Sequence, residues 1–354
     1  MKWWKIASIV LLLYTFVAGL LIPLKPGLTD TTPESINSGA AATLTLTGYN
    51  TRFDQADPQQ SRVWLRFDSA HILFGRNLKA LDAAHLQADF QFPAELPVKG
   101  EKFARFDVYF DDPVNGLLRL ENEIQVAATA SPDSNALASG WATDTIKNVH
   151  RYQKMSFPIL PNIYESGRNL YYHVPMWFAM ILLFGASVWF SIRNLSRPSA
   201  DNDRRAKTYA ETGLLFGLLG LTTGMLWATF TWGKPWNNDI KQIMTAVALL
   251  IYFAYFILRN SFDDQEKGAR LAAVYNVFAF STLIPLLYIV PRLEMFESLH
   301  PGAKGSPTFS SQDLDNTMRM VFYPAILGWT MLGFWVADIR IRVTRLQDHL
   351  QDID

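Results

Sequence analysis

A tryptophan-rich stretch between two long apolar segments is the first part of the sequence with side chains suited to a ligand. Trp227, Trp232 and Trp236 surround Gly233 and Pro235, which end the preceding helix because glycine is flexible and proline lacks an amide hydrogen. Each flanking segment has about 20 apolar residues, enough to cross a bilayer, so the stretch lies at a membrane surface. An interfacial aromatic belt accounts for one or two tryptophans. Three around one turn also suit a flat, apolar ligand.

The polar end of this stretch predicts the start of the next helix. Asn237 or Asn238 is placed to cap that helix. Asp239 then falls in its first turn, where the helix dipole favours a negative charge. We call residues 227–239 the Trp segment.

Two histidines are expected on the same membrane face as the Trp segment. His173 begins the second apolar segment, within Tyr-His-Val-Pro, and His300 lies in Leu-His-Pro-Gly between the last two apolar segments. Neutral imidazole is a good axial ligand for haem iron, so the pair could hold an iron while the indoles cover the ring. The alternative is that each is an ordinary interfacial residue that makes hydrogen bonds.

The composition excludes several other kinds of chemistry. The chain has 354 residues and a formal net charge of zero, so nothing suggests nucleic acid as a partner. It has no cysteine, which excludes disulfides, thiolate metal sites and covalent haem attachment through Cys-x-x-Cys-His. His71, His85 and His150 show no ligand spacing. No nucleophile–base pair or phosphate-binding glycine loop is evident, so we expect a binding protein and not an enzyme.

Six apolar segments are predicted to be transmembrane helices. The first, in residues 1–24, resembles a signal peptide in its charge pattern, but its length and poor cleavage pattern favour an uncleaved helix. The central stretches of the other five lack charged residues and histidine, which argues against a proton pump or an ion channel. These five segments cover about 174–192, 209–231, 240–258, 271–291 and 320–337.

The distribution of Lys and Arg predicts the orientation of these helices. Loops and termini on one side carry 13 of them, and the short loops on the other side carry five. The positive-inside rule therefore places both termini in the cytoplasm. The Trp segment and the loop 292–319 are then on the outer face.

Residues 25–165 have a different pattern, in which apolar and polar side chains alternate. Such alternation is typical of half-buried strands, and Asn115–Gly116 predicts a hairpin turn. We expect a small antiparallel β-sandwich outside the membrane. The predicted fold is a membrane all-α six-helix bundle with an inserted periplasmic small β-sandwich-like domain. The predicted domains are a first transmembrane helix (1–24), the β-rich domain (25–165), a five-helix membrane haem-handling domain (166–345) and a cytoplasmic tail (346–354).

The residues above resemble a known family, the haem-handling membrane proteins of cytochrome c biogenesis (the CcmC/CcmF/CcsA superfamily), and most closely its CcmC branch. The family motif Trp-Gly-x-x-Trp-x-Trp-Asp corresponds to residues 232–239, with Asn238 in place of the third tryptophan. The family's His-Val-Pro and Leu-His contexts match His173 and His300. The resemblance covers about 165–345 and the first span. CcmC has only a short loop where this chain has residues 25–165.

The resemblance implies that the protein holds haem b at the outer face of the bacterial inner membrane. It would deliver this haem to a periplasmic haem chaperone of the CcmE type, with a CcmAB-like ABC transporter as a second partner. A haem exporter that moves haem across the membrane and a membrane-anchored assembly scaffold are the alternatives. The implied iron ligands are His173 and His300, and the other site residues are Trp227, Trp232, Gly233, Trp236 and Asp239.

Two arginines at the expected level of the outer face are candidate partners for the haem propionates. These are Arg168, five residues before His173, and Arg292, at the outer end of the fifth span. Interfacial anchoring is the alternative role for each. We also expect the two histidines to face one shared cavity, covered by Trp232 and Trp236.

Overall fold

The computed structural model describes residues 2–97, 102–127, 141, 146–160, 163–293, 295–300 and 314–351. The chain divides into two compact units. Met1–Ile22 and Asn162–Asp354 form a helical unit, which we call the membrane unit. Pro23–Pro161 form the second unit, which consists of strands and which we call the β unit.

The membrane unit contains six helices in its described residues, and each is long and apolar enough to cross a membrane. This confirms the six predicted segments. After Ile284 the fifth helix continues as a π-helical turn over Pro285–Ile289 and a 3-10 turn over Val290–Arg292, where two prolines lack amide donors. The helices are α1 (Trp3–Leu21), α2 (Leu170–Ser196), α3 (Ala200–Trp232), α4 (Ile240–Asn260), α5 (Gln265–Ile284) and α6 (Asn316–Gln351).

The core of the membrane unit lies where α2 packs against α3 and α4. Met180, Leu183 and Phe184 of α2 are buried against neighbouring helices. Helix α3 approaches closely because Gly213 has no side chain: a Cβ at this position would lie 2.7 Å from a ring carbon of Phe184. Phe184 also stacks on Tyr252 of α4, with ring centroids 3.5 Å apart. Large apolar side chains therefore fill this part of the interior.

The helix boundaries within the Trp segment follow from local backbone chemistry. Helix α3 ends at Trp232 because Gly233 adopts the left-handed conformation, with φ of 76°. Helix α4 begins after Asp239, whose side chain accepts a hydrogen bond from the Lys241 amide. The prediction that an asparagine caps this helix was wrong, because Asn238 has φ of 54° and not the extended backbone of an N-cap.

The β unit is built from two sheets that enclose one core. The strand orders are β1-β3-β7-β6 and β2-β9-β8-β4-β5. Leu44 and Leu46 from the first sheet share the core with Phe106 and Phe110 from the second, as expected for a small β-sandwich. The strands are β1 (Gly27–Thr32), β2 (Ser35–Asn37), β3 (Ala41–Tyr49), β4 (Arg62–Arg66), β5 (Ile72–Phe74), β6 (Arg76–Ala80), β7 (His85–Gln91), β8 (Phe103–Asp112) and β9 (Gly116–Ala127).

The sandwich departs from the purely antiparallel prediction at one edge. Strand β2 pairs with β9 in parallel, and the other pairings between the described strands are antiparallel. A parallel pair needs a long connection, and the six strands between β2 and β9 provide it. The predicted hairpin turn at Asn115–Gly116 joins β8 to β9, with Gly116 at φ of 73°.

Candidate functional site

Asp239 is the centre of a hydrogen-bond network at the start of α4. One carboxylate oxygen accepts from the Lys241 amide and from Nδ1 of His300, each at 2.9 Å. The other accepts from the Leu299 amide at 2.7 Å and from Oγ of Ser298 at 2.9 Å. The carboxylate thus holds both the helix N-terminus and the segment that carries His300.

Burial and hydrogen bonding have opposite effects on the charge of Asp239. Burial by itself raises the pKa of this carboxyl group, since only 4% of the residue is exposed. The hydrogen bonds from His300, the Leu299 amide and Ser298 outweigh that effect and lower the pKa below its usual range. Asp239 is therefore an anion behind the imidazole.

A carboxylate at Nδ1 is the usual arrangement behind a histidine that binds a metal. The carboxylate keeps the proton of His300 on Nδ1 and leaves the Nε2 lone pair available as a ligand. Among the described residues, no hydrogen-bond partner occupies Nε2. The side chain of His300 is 19% exposed, so this nitrogen is partly sheltered from solvent.

Two tryptophans of the Trp segment enclose the His300 ring. The ring of Trp232 meets it edge-on with centroids 4.8 Å apart, and that of Trp227 lies at 6.1 Å. The two indoles contact each other at 5.0 Å. The result is an imidazole in an aromatic surround, with an Nε2 that has no partner in the described part of the chain.

His173 is held in a different way, against the face of α3. Its Nδ1 lies 2.9 Å from the carbonyl oxygen of Gly220 and 3.2 Å from Oγ1 of Thr223. Its Nε2 lies 3.2 Å from the indole nitrogen of Trp177, one turn further along α2. The absence of a side chain at Gly224 makes room for the ring, because a Cβ there would lie 2.6 Å from Cε1.

Both histidines contact helix α3. Gly220, Gly224 and Trp227 follow one another at helical spacing and so share a face of α3. The first two contact His173 and the third contacts His300. The structure therefore brings both histidines to the same end of α3.

The chain is similar to a family of known membrane proteins. A family model described as "Heme exporter protein C" (CcmC) matches residues 153–353, more than half of the chain. The chain belongs to the CcmC family. This confirms the resemblance drawn from the Trp segment and the two histidine contexts, and the match covers α2 to α6.

Individual relatives agree with the family match. A protein of Bradyrhizobium diazoefficiens named "Heme exporter protein C" is 29% identical over 177 residues, which cover 49% of this chain and 66% of that protein. One of the same name from Paracoccus denitrificans is 23% identical over 54% of this chain and 78% of its own length. A "Cytochrome c biogenesis protein CcsA" of Thermosynechococcus vestitus is 40% identical over 70 residues, 19% of this chain and 22% of that protein.

Trp236 of the CcmC motif does not join the aromatic group around His300. It is 36% exposed, and its indole nitrogen donates to Oδ1 of Asn238 at 2.8 Å. Within the described residues, the rings that contact His300 are those of Trp227 and Trp232. The expected cover of Trp232 and Trp236 is thus replaced by Trp232 and Trp227, because the turn at Pro235 carries Trp236 to the Asn238 side chain.

The two arginines differ in their surroundings. Arg168 donates to the carbonyl oxygens of Gly19 at 2.8 Å and Ile22 at 2.7 Å, and also pairs with Glu165. It therefore stabilises the C-terminal end of α1, and its propionate contact stays a prediction. Arg292 donates to the Tyr288 carbonyl at 2.9 Å, within its own turn. Its propionate role stays a prediction.

Sequence reasoning missed two side chains of the site, Trp177 and Ser298. Trp177 follows His173 by four residues, the spacing at which helical side chains meet, so this signal was present in the sequence. Ser298 donates to Asp239 from a non-helical segment. No sequence pattern predicts that contact.

Proposed function

We propose that this protein holds haem b at the outer face of the membrane, with His173 and His300 as axial ligands, and passes it to a periplasmic haem chaperone. The observation that carries the proposal is His300, whose Nδ1 is bound by the buried carboxylate of Asp239 and whose ring lies between Trp227 and Trp232. The names of the relatives, heme exporter protein C and cytochrome c biogenesis protein CcsA, support a role in handling haem for cytochrome c maturation.

The residues present fit a haem. Imidazole nitrogen is a common axial ligand of haem iron, and a carboxylate behind the imidazole raises its basicity. The indoles of Trp227 and Trp232 offer apolar surface for the porphyrin. Arg292 is the proposed partner for a propionate, since a guanidinium binds a carboxylate with two parallel hydrogen bonds.

The proposed setting is the bacterial inner membrane, with both termini in the cytoplasm and the β unit in the periplasm. The excess of Lys and Arg on the side of the termini supports this orientation. The proposed partners are a CcmE-like chaperone, CcmAB-like subunits of an ABC transporter, and the lipid bilayer. We propose a binding and delivery role without bond-making chemistry.

Haem export through the helix bundle is the alternative that this proposal replaces. The stacked rings of Phe184 and Tyr252 fill the interior between α2 and α4, which supports binding at the end of the bundle over passage between these two helices. We therefore place the haem at the end of the bundle, beside the Trp segment.

The test is an absorption spectrum of the purified full-length protein in detergent, before and after addition of haem. The wild type should show sharp six-coordinate bands. His300→Ala or His173→Ala should shift the spectrum towards five-coordinate or water-ligated haem, and added imidazole should partly restore it. His85→Ala is the matched control, because His85 is exposed in the β unit and pairs with Asp82. No haem uptake by the wild type would overturn the proposal, as would an unchanged spectrum in both site variants.

A further inference from the structure

The hydrogen bonds of His173 define which tautomer it adopts. A carbonyl oxygen can only accept a hydrogen bond and an indole nitrogen can only donate one. Since Nδ1 faces the carbonyl of Gly220 and Nε2 faces the indole of Trp177, the proton is on Nδ1 and the lone pair on Nε2. The ring is neutral, and its one basic nitrogen already has a donor.

That nitrogen is also the one an iron would need. Nδ1 lies against the backbone of α3, with Gly220 and Thr223 as partners, so it cannot turn towards a ligand without losing both. Nε2 points to Trp177 instead. His300 differs in this respect, because no described residue donates to its Nε2.

The indole of Trp177 is held in place by the helix beside it. Its six-membered ring lies where a side chain at position 220 would be, since a Cβ on Gly220 would come within 2.9 Å of two ring carbons. The ring of Trp177 meets the imidazole edge-on, with an interplanar angle of 84° and centroids 5.7 Å apart. This packing aims the N–H at Nε2.

We infer that Trp177 is a positioning residue that covers the ligand nitrogen of His173 in the haem-free protein. The inference rests on the proposed function, because it assigns unequal roles to the two ligands proposed there. His300, whose Nε2 has no donor among the described residues, binds iron first. His173 binds only when the indole N–H gives up its hydrogen bond, and the same N–H favours release of this ligand when haem leaves. His173 is therefore the exchangeable ligand.

The first test examines the haem-free protein and so does not depend on haem binding. Trp177→Phe retains a flat apolar ring but has no N–H. In the ¹⁵N NMR spectrum of protein labelled with ¹⁵N-histidine, the chemical shift of Nε2 in His173 should move to the value of an imidazole nitrogen that accepts no hydrogen bond. Nδ1 should keep its proton. The signals of His173 are assigned by their loss in His173→Gln. Trp189→Phe, on the exposed face of the same helix, should leave them unchanged.

The second test is a haem titration of the same proteins. Trp177→Phe should bind haem about threefold to tenfold more tightly than wild type, the range expected for one competing neutral hydrogen bond. Transfer of haem to an acceptor such as apomyoglobin should be slower by a similar factor. Trp189→Phe should match the wild type in both measurements.

A second variant tests the inference independently, in case Trp177→Phe fails to fold. Gly220→Ala adds a methyl group against the indole and should displace it from Nε2 without removing it, with the same direction of change. Equal or weaker haem binding in a variant whose Nε2 signal has moved would overturn the inference. An Nε2 signal that is already free in the wild type would also overturn it. Failure of the wild type to bind haem would instead overturn the proposed function.

Discussion

The membrane unit and the β unit bury polar groups in different ways. In the β unit, Asp111 is fully buried and accepts hydrogen bonds from Arg62 at 2.5 Å and from the amide of His150 at 2.7 Å. In the membrane unit, Lys5 near the start of α1 is buried and charged, but the buried polar groups in the middle of the described spans are uncharged. Asn276 donates to Ser187 and Ser191, and Ser187 donates to a backbone carbonyl.

The difference follows from the solvent that each unit excludes. A buried charge in the β unit can be stabilised by a few hydrogen-bond donors and by nearby water. A charge in the middle of a transmembrane span loses its water to hydrocarbon, so its burial costs more free energy. The ion pairs Lys5–Asp338 and Arg259–Asp203 accordingly lie towards the ends of the apolar spans. Among its described residues, Asp239 is the only buried carboxylate. This exception marks the candidate site.

The largest effect is expected from removing the buried carboxylate of the β unit. Asp111→Ala leaves Arg62 and the His150 amide without their acceptor, and loss of one partner of a buried pair costs about 3–5 kcal/mol. Amide hydrogen exchange in β8 and β9 of the full-length protein should rise accordingly. Glu121→Ala, which breaks an exposed pair with Arg119, should cost no more than about 1 kcal/mol. An equal loss of protection in both variants would show that burial of Asp111 contributes nothing.

A smaller effect is expected from the corresponding change in the membrane unit. Asp239→Ala removes the acceptor of four hydrogen bonds, and we expect a cost of about 2–3 kcal/mol in the thermal unfolding of the detergent-solubilised protein. A role in the helix start alone would cost about 1 kcal/mol. The contact with His300 predicts a further result, a partial loss of the six-coordinate haem spectrum.

Asp264→Ala separates the two roles of Asp239. Asp264 caps α5 in the same way, with a side chain that accepts from the amides of Glu266 and Lys267, but it is exposed and binds no histidine. This control should lose helix-end stability and keep the haem spectrum. If Asp239→Ala behaves like Asp264→Ala in both measurements, then Asp239 acts only as a cap.

The smallest effect on haem binding is expected from removal of the β unit. The buried ligand contacts of His173, His300 and Asp239 all lie within the membrane unit. Replacement of residues 30–160 by a short Gly/Ser linker should therefore leave the haem spectrum and affinity unchanged. We propose in addition that the β unit is a docking surface for the chaperone, so transfer of haem to the chaperone should become slower. Loss of haem binding with folded helices would show that the β unit helps to form the site.

Much of the architecture could be predicted from the sequence, because the signals are local. The length of the apolar segments predicted the six spans, and the alternation of apolar and polar residues predicted the strands. Gly233 predicted the end of α3. The Trp segment with the two histidine contexts was enough to identify the CcmC family. The helix cap was misassigned by only one or two residues, since Asn and Asp are about equally good at that position.

The partners of the key side chains were decided only by the tertiary structure. Asp239 binds His300 across 61 positions of the chain, and Arg168 reaches the end of α1 across 149. Trp177 rather than solvent occupies Nε2 of His173 because α3, at Gly220, leaves room for the indole. Residue types determine which hydrogen bonds a side chain can make. Which of those bonds form depends on the packing of helices that are distant in sequence, since hydrogen bonds act only over about 3 Å.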